Sequence, residues 1–589
     1  MNDTILEKMD ISSSVIDILL QRISQLDKRD ISILSYAAII GKKFNIELLF
    51  ELSDIKRKDI VQIVDRAIEL QLLEEDFHEK GTILFVHDRI KEAFYKNIDT
   101  KAQRIIHLKI AQTIEKFNKH RIYDYIFELA HHYIEGGNKD KAIEYAIPAG
   151  FIAKAVHANT EALKYFKTAA NFLEDNGKKG SIDWINSSKE SGNICIITGQ
   201  YDKAISIFNS ILEYIKEDIV KATIYKSICS IYFKKGNYKK CEIYGQKGLK
   251  LLGDKLPITK LSVILSIGKE FYIHLLHNIL PWIFKKKNYN RKSEKYRLIV
   301  EFYSVLNWLY ILSDITKFIR SVLRMLNTAE RKIGKSVELG QGLSAYGGLC
   351  MAVPLFKRSL KYHHKALEMR KEIRDEWGIA QSYQFIGFYY QWKGEIEKSI
   401  ENFNESLKRF LRIGDLWEIS MIRNGLGEDN FYISNYKEAL FHNQKWLEMS
   451  RILGDDSGLS ISTGNLLWIY SETGNFVLAE EFSIEGLKLS KSRGLIWEYC
   501  LHNIYAGCLN INTGNFKRAI SFLEKAKELD LKNNYIQNYT TPLYPYLSEA
   551  YIADFQSIKN DLSDKEYRNY LRKINFTTHL GLKKTKPWV

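Results

Sequence analysis

Gly394-Glu395-Ile396-Glu397-Lys398-Ser399 begins a stretch, residues 394–526, in which one phrase returns three more times. The later copies read Ser434-Asn435-Tyr436-Lys437-Glu438-Ala439, Gly474-Asn475-Phe476-Val477-Leu478-Ala479 and Gly514-Asn515-Phe516-Lys517-Arg518-Ala519. Each copy follows the previous one by 40 residues without a gap. A period of this length indicates a solenoid of helical hairpins, because one hairpin cannot bury its own apolar face and must stack on a neighbour.

The phrase has the features of the turn inside a helical hairpin. Glycine permits the positive φ that ends the first helix, and asparagine caps the second. Five positions after the turn start there is always a small residue: Ser399, Ala439, Ala479 and Ala519. Seven positions before it there is glycine in three copies and leucine in one: Gly387, Gly427, Leu467 and Gly507. Small residues at both positions let antiparallel helices pack closely. The pattern resembles the tetratricopeptide repeat, which is usually about 34 residues long.

Weaker copies of the pattern extend the solenoid toward the N-terminus. Gly199 and Gly236 begin similar turns 37 residues apart, and Pro354 begins one 40 residues before Gly394. Between these regions the phase is lost. The sequence therefore predicts a first repeat array at 101–252, an irregular helical insertion at 253–313, a second array at 314–556, and a C-terminal tail or cap at 557–589.

A different pattern precedes the arrays. Helical periodicity covers residues 28–40, resumes after Asn45, and covers residues 56–70. Residues 72–75 and 82–86 then have the pattern of two strands joined by a polar turn. Helices followed by a two-stranded wing predict a winged helix at 28–100. The predicted fold class is thus all-α, a superhelical solenoid of helical hairpins preceded by a small winged-helix domain.

Several of these segments together resemble one known family. The segments are Ala37-Ala38-Ile39-Ile40-Gly41-Lys42-Lys43-Phe44, Phe85-Val86-His87-Asp88-Arg89-Ile90 and Glu128-Leu129-Ala130-His131-His132-Tyr133. They look like the region that follows the nucleotide-binding core of bacterial STAND-type signalling ATPases, and the resemblance runs from about residue 14 to 552. It implies that residues 1–27 are the remnant of a lid helix. It also implies a regulator whose ATPase module is held off or released by a repeat arm that senses a ligand or protein.

The chain departs from this family because it has no G-x-x-x-x-G-K-[ST] phosphate-binding motif. We therefore expect no ATP hydrolysis, and an ATPase or kinase module that is encoded separately or was lost by truncation. No catalytic constellation is evident, so the expectation is a non-enzymatic protein without a cofactor. His131 and His132 are adjacent, so on a helix their side chains point about 100° apart, and we expect no metal site.

Composition narrows the setting. The apolar share of 45% is typical of a soluble folded protein, and six scattered cysteines favour a reducing cytoplasm. The most apolar segment, residues 271–284, is too short to span a bilayer, and we expect a buried helix there rather than a membrane-surface segment. The net charge of +15 leaves open a nucleic-acid-binding regulator that uses residues 56–70 as its recognition helix. Salt-dependent retention on DNA would favour this alternative.

The first helix of each hairpin should line the concave wall of the solenoid. Positions three, six, ten and thirteen before the turn are expected to face that wall, where amides and aromatic rings suit a protein partner or a small effector. The predicted wall residues are Gln381, Gln384, Phe388, Gln391, Asn424, Glu428, Phe431, Trp468 and Ser471.

Overall fold

The structure is a computed structural model. It describes residues 21–76, 78–257, 259–280, 292–533, 535, 540, 542–560 and 562–585. Most of the predicted lid-remnant helix, residues 1–20, lies outside the described residues. The chain divides into two compact units, unit 1 (residues 1–191) and unit 2 (residues 192–589).

Unit 1 begins with short helices and strands. In chain order these are α1 (Lys28–Ile40), β1 (Lys43–Asn45), α2 (Ile46–Leu52), α3 (Arg57–Glu69), β2 (Leu73–Glu75), β3 (Thr82–Phe85) and α4 (Asp88–Lys96). The side chain of Asp27 caps α1 by accepting a hydrogen bond from the Asp30 N–H, and Asn45 caps α2 in the same way through the Glu47 N–H. The described strands form an antiparallel sheet in the order β1-β3-β2.

The sheet contains the predicted hairpin and one strand that the sequence did not predict. Leu73 of β2 pairs with Phe85 of β3, and on the other edge Phe44 of β1 pairs with Ile83. Phe85 also lies 5.9 Å from the Phe44 ring, measured between ring centroids. β1 was missed because it is only three residues long and its single buried side chain shows no alternation.

The rest of unit 1 consists of longer helices. They are α5 (Thr100–Phe117), a 3₁₀ turn (Ile122–Tyr125), α6 (Ile126–Glu135), α7 (Lys139–Ala155), α8 (Asn159–Asp175) and α9 (Ile182–Ile197), the last of which crosses the boundary between the units. α5, α6, α7 and α8 pack in sequence order, each on the next or on the one before. This order is typical of stacked helical hairpins.

Unit 2 is built from helical hairpins. Its helices are α10 (Tyr201–Leu212), α11 (Asp218–Lys234), α12 (Tyr238–Leu251), α13 (Lys260–Ile279), α14 (Lys292–Ser313), α15 (Ile315–Thr328), α16 (Val337–Ala352), α17 (Phe356–Glu372), α18 (Glu376–Lys393), α19 (Ile396–Ile413), α20 (Leu416–Tyr432), α21 (Tyr436–Leu453), α22 (Asp456–Glu472), α23 (Phe476–Arg493), α24 (Ile496–Asn512), α25 (Phe516–Asn533), α26 (Leu543–Ile558) and α27 (Asp564–Thr585). A short π-helical turn, Ala329–Ile333, follows α15. The predicted solenoid of helical hairpins is confirmed.

The regular part of unit 2 has a shorter period than the sequence phrase. Residues with positive φ recur every 20 positions, and the series is Arg374, Gly394, Gly414, Ser434, Gly454, Gly474, Gly494 and Gly514, with φ between 57° and 77°. Every second member is therefore a turn between hairpins, and the others are turns within a hairpin. Each helix and its turn take 20 residues, so successive helices keep the same rotational phase.

Close packing inside each hairpin depends on a matched pair of positions. A Cβ atom built on Gly387 would lie 2.8 Å from the Phe403 ring, and one built on Gly507 would lie 2.4 Å from Leu523. These partners lie seven positions before the turn start and nine after it. In the third hairpin the sizes are exchanged, since the buried Leu467 is matched in register by the buried Ser483. The sum of the two side chains is thus kept where the glycine is absent.

Helix α13 contradicts the expectation of a buried apolar helix. Its apolar stripe is exposed, and the exposed side chains are Leu261, Ile264, Leu265, Phe271, Tyr272, Leu275 and Ile279. The buried side is polar instead, because Glu270 accepts hydrogen bonds from Arg324 at 3.2 Å and from Asn327 at 2.8 Å. The predicted segment continues into residues 281–284, outside the described residues. Of the helices that the structure describes, none is both long and apolar enough to cross a membrane.

The C-terminal segment is more ordered than a polar tail. α27 spans 22 residues and packs on α26. Tyr570 of α27 donates a hydrogen bond to Asp554 at 2.6 Å, and Thr577 is buried. The segment therefore covers the last apolar face of the solenoid, which a terminal helix must do in a repeat protein.

Candidate functional site

A cavity of about 600 Å³ lies among the hairpins of unit 2. Consecutive first helices of the array, α16, α18, α20, α22 and α24, contribute lining residues, and α11, α12, α14 and α15 complete the wall. Its volume falls in the range of about 300–1,000 Å³ that is usual for ligand sites. The cavity is the candidate functional site.

Aromatic rings dominate the wall. Among the described residues the lining aromatics are Phe233, Tyr238, Trp308, Phe318, Phe385, Phe388, Trp392, Trp417, Tyr432, Trp468, Trp497 and Tyr505. Five of the ten tryptophans of the chain are in this set. Trp468 stacks on Tyr505 with ring centroids 4.8 Å apart, and Trp308 stacks on Phe385 at 5.7 Å. The wall therefore presents flat apolar faces with few rotatable bonds.

The charged lining residues are acids. Within the described part of the lining, Glu428 and Asp455 carry the charges, and no lysine, arginine or histidine is present. Burial, assisted by the neighbouring Asp429, raises the pKa of Glu428 to about 8, although Asn465 and Asn424 donate hydrogen bonds that favour its charged form. Burial likewise raises the pKa of Asp455 to about 7. An acidic cavity in a chain of net charge +15 is a local reversal of sign.

Asp455 has a structural role as well. It caps α22 by accepting a hydrogen bond from the Gly458 N–H at 2.9 Å. Asp415 caps α20 at the equivalent position, one hairpin earlier, through the Glu418 N–H. Glu428 lies in the third turn of α20, away from either helix end, so capping does not explain it.

Six of the predicted wall residues line the cavity: Gln381, Phe388, Gln391, Asn424, Glu428 and Trp468. Some of these side chains are already engaged, since Gln391 donates to Asp429 at 3.0 Å and Gln381 accepts from Arg370 at 3.0 Å. The wall is therefore held in place by contacts behind it.

The other three predicted wall residues lie outside the lining. Gln384 is fully buried beside Glu418, Ser471 is buried and accepts from Asn512 at 3.1 Å, and Phe431 packs on Trp468 with centroids 4.4 Å apart. The rotational phase is the reason: positions six and thirteen before the turn point inward in most hairpins, but three and ten do so only in some.

Sequence reasoning missed a further row of wall residues. Trp417, Ser457 and Trp497 all lie seventeen positions before their turn, one helical turn before the row at thirteen. Their 40-residue spacing was a usable signal. Phe233 and Tyr238 are a different case, because they reach the cavity from α11 and α12, far earlier in the chain.

The early hairpins of unit 2 contact the later ones beside the cavity. Tyr238 donates hydrogen bonds to Ser457 at 2.9 Å and to Glu498 at 3.3 Å. Lys234 lies 3.6 Å from Asp415, measured from Nζ to Oδ1, and 5.1 Å from the centroid of the Trp417 ring. These contacts join residues that are more than 180 positions apart, so the solenoid curves back on itself around the cavity.

Unit 1 contains a cluster that could hold a metal ion. His107 of α5 and the adjacent pair His131 and His132 of α6 each offer a ring nitrogen, and these atoms lie within 4.8 Å of one another. The sequence argument treated the adjacent pair alone, and it missed the third imidazole because that ring arrives from another helix.

Helix α3, the recognition helix of the nucleic-acid alternative, pairs part of its charge internally. Arg66 contacts Asp30 of α1 at 2.7 Å, and Arg57 contacts Glu47 of α2 at 3.3 Å. Asp59, on the same helix, contacts Arg29 at 2.5 Å. These pairs reduce the positive potential that phosphate binding requires.

Comparison with known proteins agrees with the repeat assignment. A family model described as tetratricopeptide repeat matches residues 506–533, which cover the end of α24 and nearly all of α25. This fold is typical of proteins that bind other proteins. No curated protein matches the chain.

Three solved structures illustrate the similarity of fold. One is a signal transduction ATPase with numerous domains (STAND) with a tetratricopeptide repeat sensor from Pyrococcus horikoshii, with 14% identity, 90% of this chain and 68% of that chain covered, and a TM-score of 0.34. Another is a Rap protein in complex with competence and sporulation factor, with 12% identity, coverage of 62% and 99%, and a TM-score of 0.38. The third is aspartyl phosphate phosphatase F from Bacillus subtilis, with 12% identity, coverage of 62% and 95%, and a TM-score of 0.36.

Proposed function

We propose that the chain is a non-enzymatic sensor and interaction arm of a bacterial signalling regulator, which acts in the cytoplasm and controls an ATPase or other output module. Its ligand, a protein segment or a small effector, would bind in the cavity of unit 2. The observation that carries this proposal is the cavity itself, lined by five consecutive first helices and rich in aromatic rings. A ligand there would touch several hairpins at once.

The wall also indicates the charge of the ligand. Glu428 lies near Tyr432 and Tyr505, and its charge acts on the hydroxyl groups of both. A carboxylate beside aromatic faces attracts cations, because ring faces carry partial negative charge. We therefore expect a ligand with a cationic nitrogen, such as a lysine or arginine side chain or a free amine.

Ligand binding would be coupled to the curvature of unit 2. The contacts of Tyr238 with Ser457 and Glu498 close the solenoid beside the cavity. A ligand that favours the closed form would shift the population toward it, and one that separates these helices would do the reverse. In this proposal residues 28–100 form a winged helix that passes the change to the output module; the order of helix, strand, two helices and hairpin supports it.

The test uses the tryptophans of the wall as the probe. The full chain is titrated with pools of pentapeptides that contain lysine or arginine, glutamate or aspartate, or neutral residues, and separately with spermidine. We expect saturable quenching by the cationic pool or by spermidine, and the two arms distinguish a peptide from a free amine.

Two variants locate the binding. Glu428→Gln should weaken binding by about tenfold or more, because a hydrogen bond to a charged group contributes roughly 1.5–3 kcal/mol. Glu481→Gln changes an exposed acid on α23 and should leave affinity unchanged. Binding by the acidic pool would refute the charge argument, and binding by no pool would refute the cavity as the ligand site.

A further inference from the structure

Three histidines of unit 1 form a nearly equilateral triangle. The centroid of the His107 ring lies 5.5 Å from that of His131 and 5.1 Å from that of His132, and the last two are 5.1 Å apart. Nδ1 of His107 and Nδ1 of His132 are 2.8 Å apart. His107 and His132 are buried, whereas His131 is exposed and gives the cluster access to solvent.

We propose that His107, His131 and His132 bind a divalent transition-metal ion, with zinc as the best fit. Zinc lies about 2.0–2.1 Å from each imidazole nitrogen, and a tetrahedral arrangement then places the ring centres about 5 Å apart. The observed triangle has this size. The donor set consists of nitrogens, which suit zinc, nickel and copper and do not suit magnesium or calcium.

The surroundings hold the two buried rings in the orientation that an ion requires. The backbone carbonyl of Ile40 accepts a hydrogen bond from the His132 ring. Because Nδ1 of this ring faces His107, the donor is Nε2, and the lone pair of Nδ1 points into the triangle. On His107, Nε2 lies 3.2 Å from the Tyr95 hydroxyl, so Nδ1 again faces inward. Ligating histidines in metal sites are oriented by such contacts at their second nitrogen.

Adjacent residues of one helix can serve here because the third ligand comes from a facing helix. His131 and His132 diverge from α6, and the His107 ring from α5 lies about as far from each as they lie from one another. A fourth position on the solvent side is open to water. Glu135 acts on His131 and favours a cation, whereas Lys91 acts on all three rings and opposes one. We therefore expect weaker binding than at a closed structural zinc site.

The test is titration of the tag-free full chain, freed of metal with a chelator and dialysed, with zinc sulfate in a calorimeter. We expect one zinc per chain at this site. His131→Asn should lower the affinity at least tenfold, and because His131 is exposed, the variant should fold. His120→Asn, which removes another exposed histidine of unit 1, is the matched control and should bind like the original chain.

Cobalt(II) gives a second readout that a purely structural histidine cluster would not produce. Bound in the triangle it should show the intense visible absorption of a four-coordinate ion, and His131→Asn should remove that absorption. Equal zinc affinity in His131→Asn and His120→Asn, or a cobalt spectrum identical to that of the free aqueous ion, would overturn the proposal.

Discussion

Helix α24 in the regular array and helix α13 outside it are both rich in apolar residues, yet they bury opposite faces. In α24, Leu501, Ile504 and Leu509 are buried between α22, α23, α25 and α26. In α13, Leu265 is 66% exposed while Glu270 is 3% exposed. Apolar spacing thus predicts that a helix forms, whereas the partner surface decides which face is buried. Four predictions test how far this difference extends.

The largest effect is expected in the array, where the matched positions leave no spare room. Phe403 is fully buried, and its ring lies where Cβ atoms on Gly387 and Gly425 would be, at 2.8 and 2.5 Å. Phe403→Ala should lower the free energy of unfolding by about 3–5 kcal/mol, because glycine cannot fill the space that the ring leaves. Urea denaturation of the full chain, followed by tryptophan fluorescence, measures the loss.

Phe441 is the control for that variant. It lies on α21, the second helix of the next hairpin, and is 45% exposed. Phe441→Ala should change the free energy of unfolding by about 0.5 kcal/mol, as surface substitutions usually do. A similar loss for both variants would mean that the matched positions are not what stabilises the array.

In α13 the polar face should be the stabilising one. Glu270→Ala removes a buried carboxylate that contacts Arg324 and Asn327, and it should cost about 3 kcal/mol, since it leaves a partly buried cation without its partner. Leu265→Ala, on the apolar stripe, should cost about 0.5 kcal/mol. The same denaturation experiment compares them, and the reverse order would restore the buried apolar helix that the sequence favours.

These contrasts show what could be predicted and what could not. The turns and small residues of the array are local signals repeated four times, so the hairpin fold and the inward rows at Gln381 and Glu428 followed from spacing. The orientation of α13 did not follow, because it depends on Arg324, 54 positions away. The same holds for Tyr238, which reaches the cavity only because unit 2 curves back, and for His107, whose partners lie on another helix.

The exchanged pair of the third hairpin tests whether the size rule itself is general. Ser483→Phe alone should destabilise by about 1–3 kcal/mol through overpacking against Leu467. Leu467→Gly alone leaves a cavity and costs more. Together they recreate the Gly387–Phe403 pair, so the double variant should be more stable than the sum of the single losses by about 1–2 kcal/mol. An additive result would show that the two positions do not face each other.

The smallest effect concerns the pH dependence of ligand binding at Glu428. Its pKa of about 8 means that the carboxyl group is mostly protonated at pH 7, held so by burial and by Asp429. A cationic ligand binds the ionised form, so binding releases a proton, and the affinity rises with pH until the pKa of the free protein is passed. The groups that face Glu428 from neighbouring helices, Asn465 and Tyr505, do not ionise below pH 8, so the slope belongs to Glu428 itself. Between pH 6 and 7 the affinity for the cationic ligand should rise up to about tenfold, which corresponds to roughly 1.4 kcal/mol, and above pH 8 it should level off. Glu428→Gln should remove the slope as well as weaken binding, whereas Glu481→Gln should keep both. A slope that persists in Glu428→Gln would move the titrating group to Asp455, whose carboxylate also lines the cavity and whose pKa burial raises to about 7.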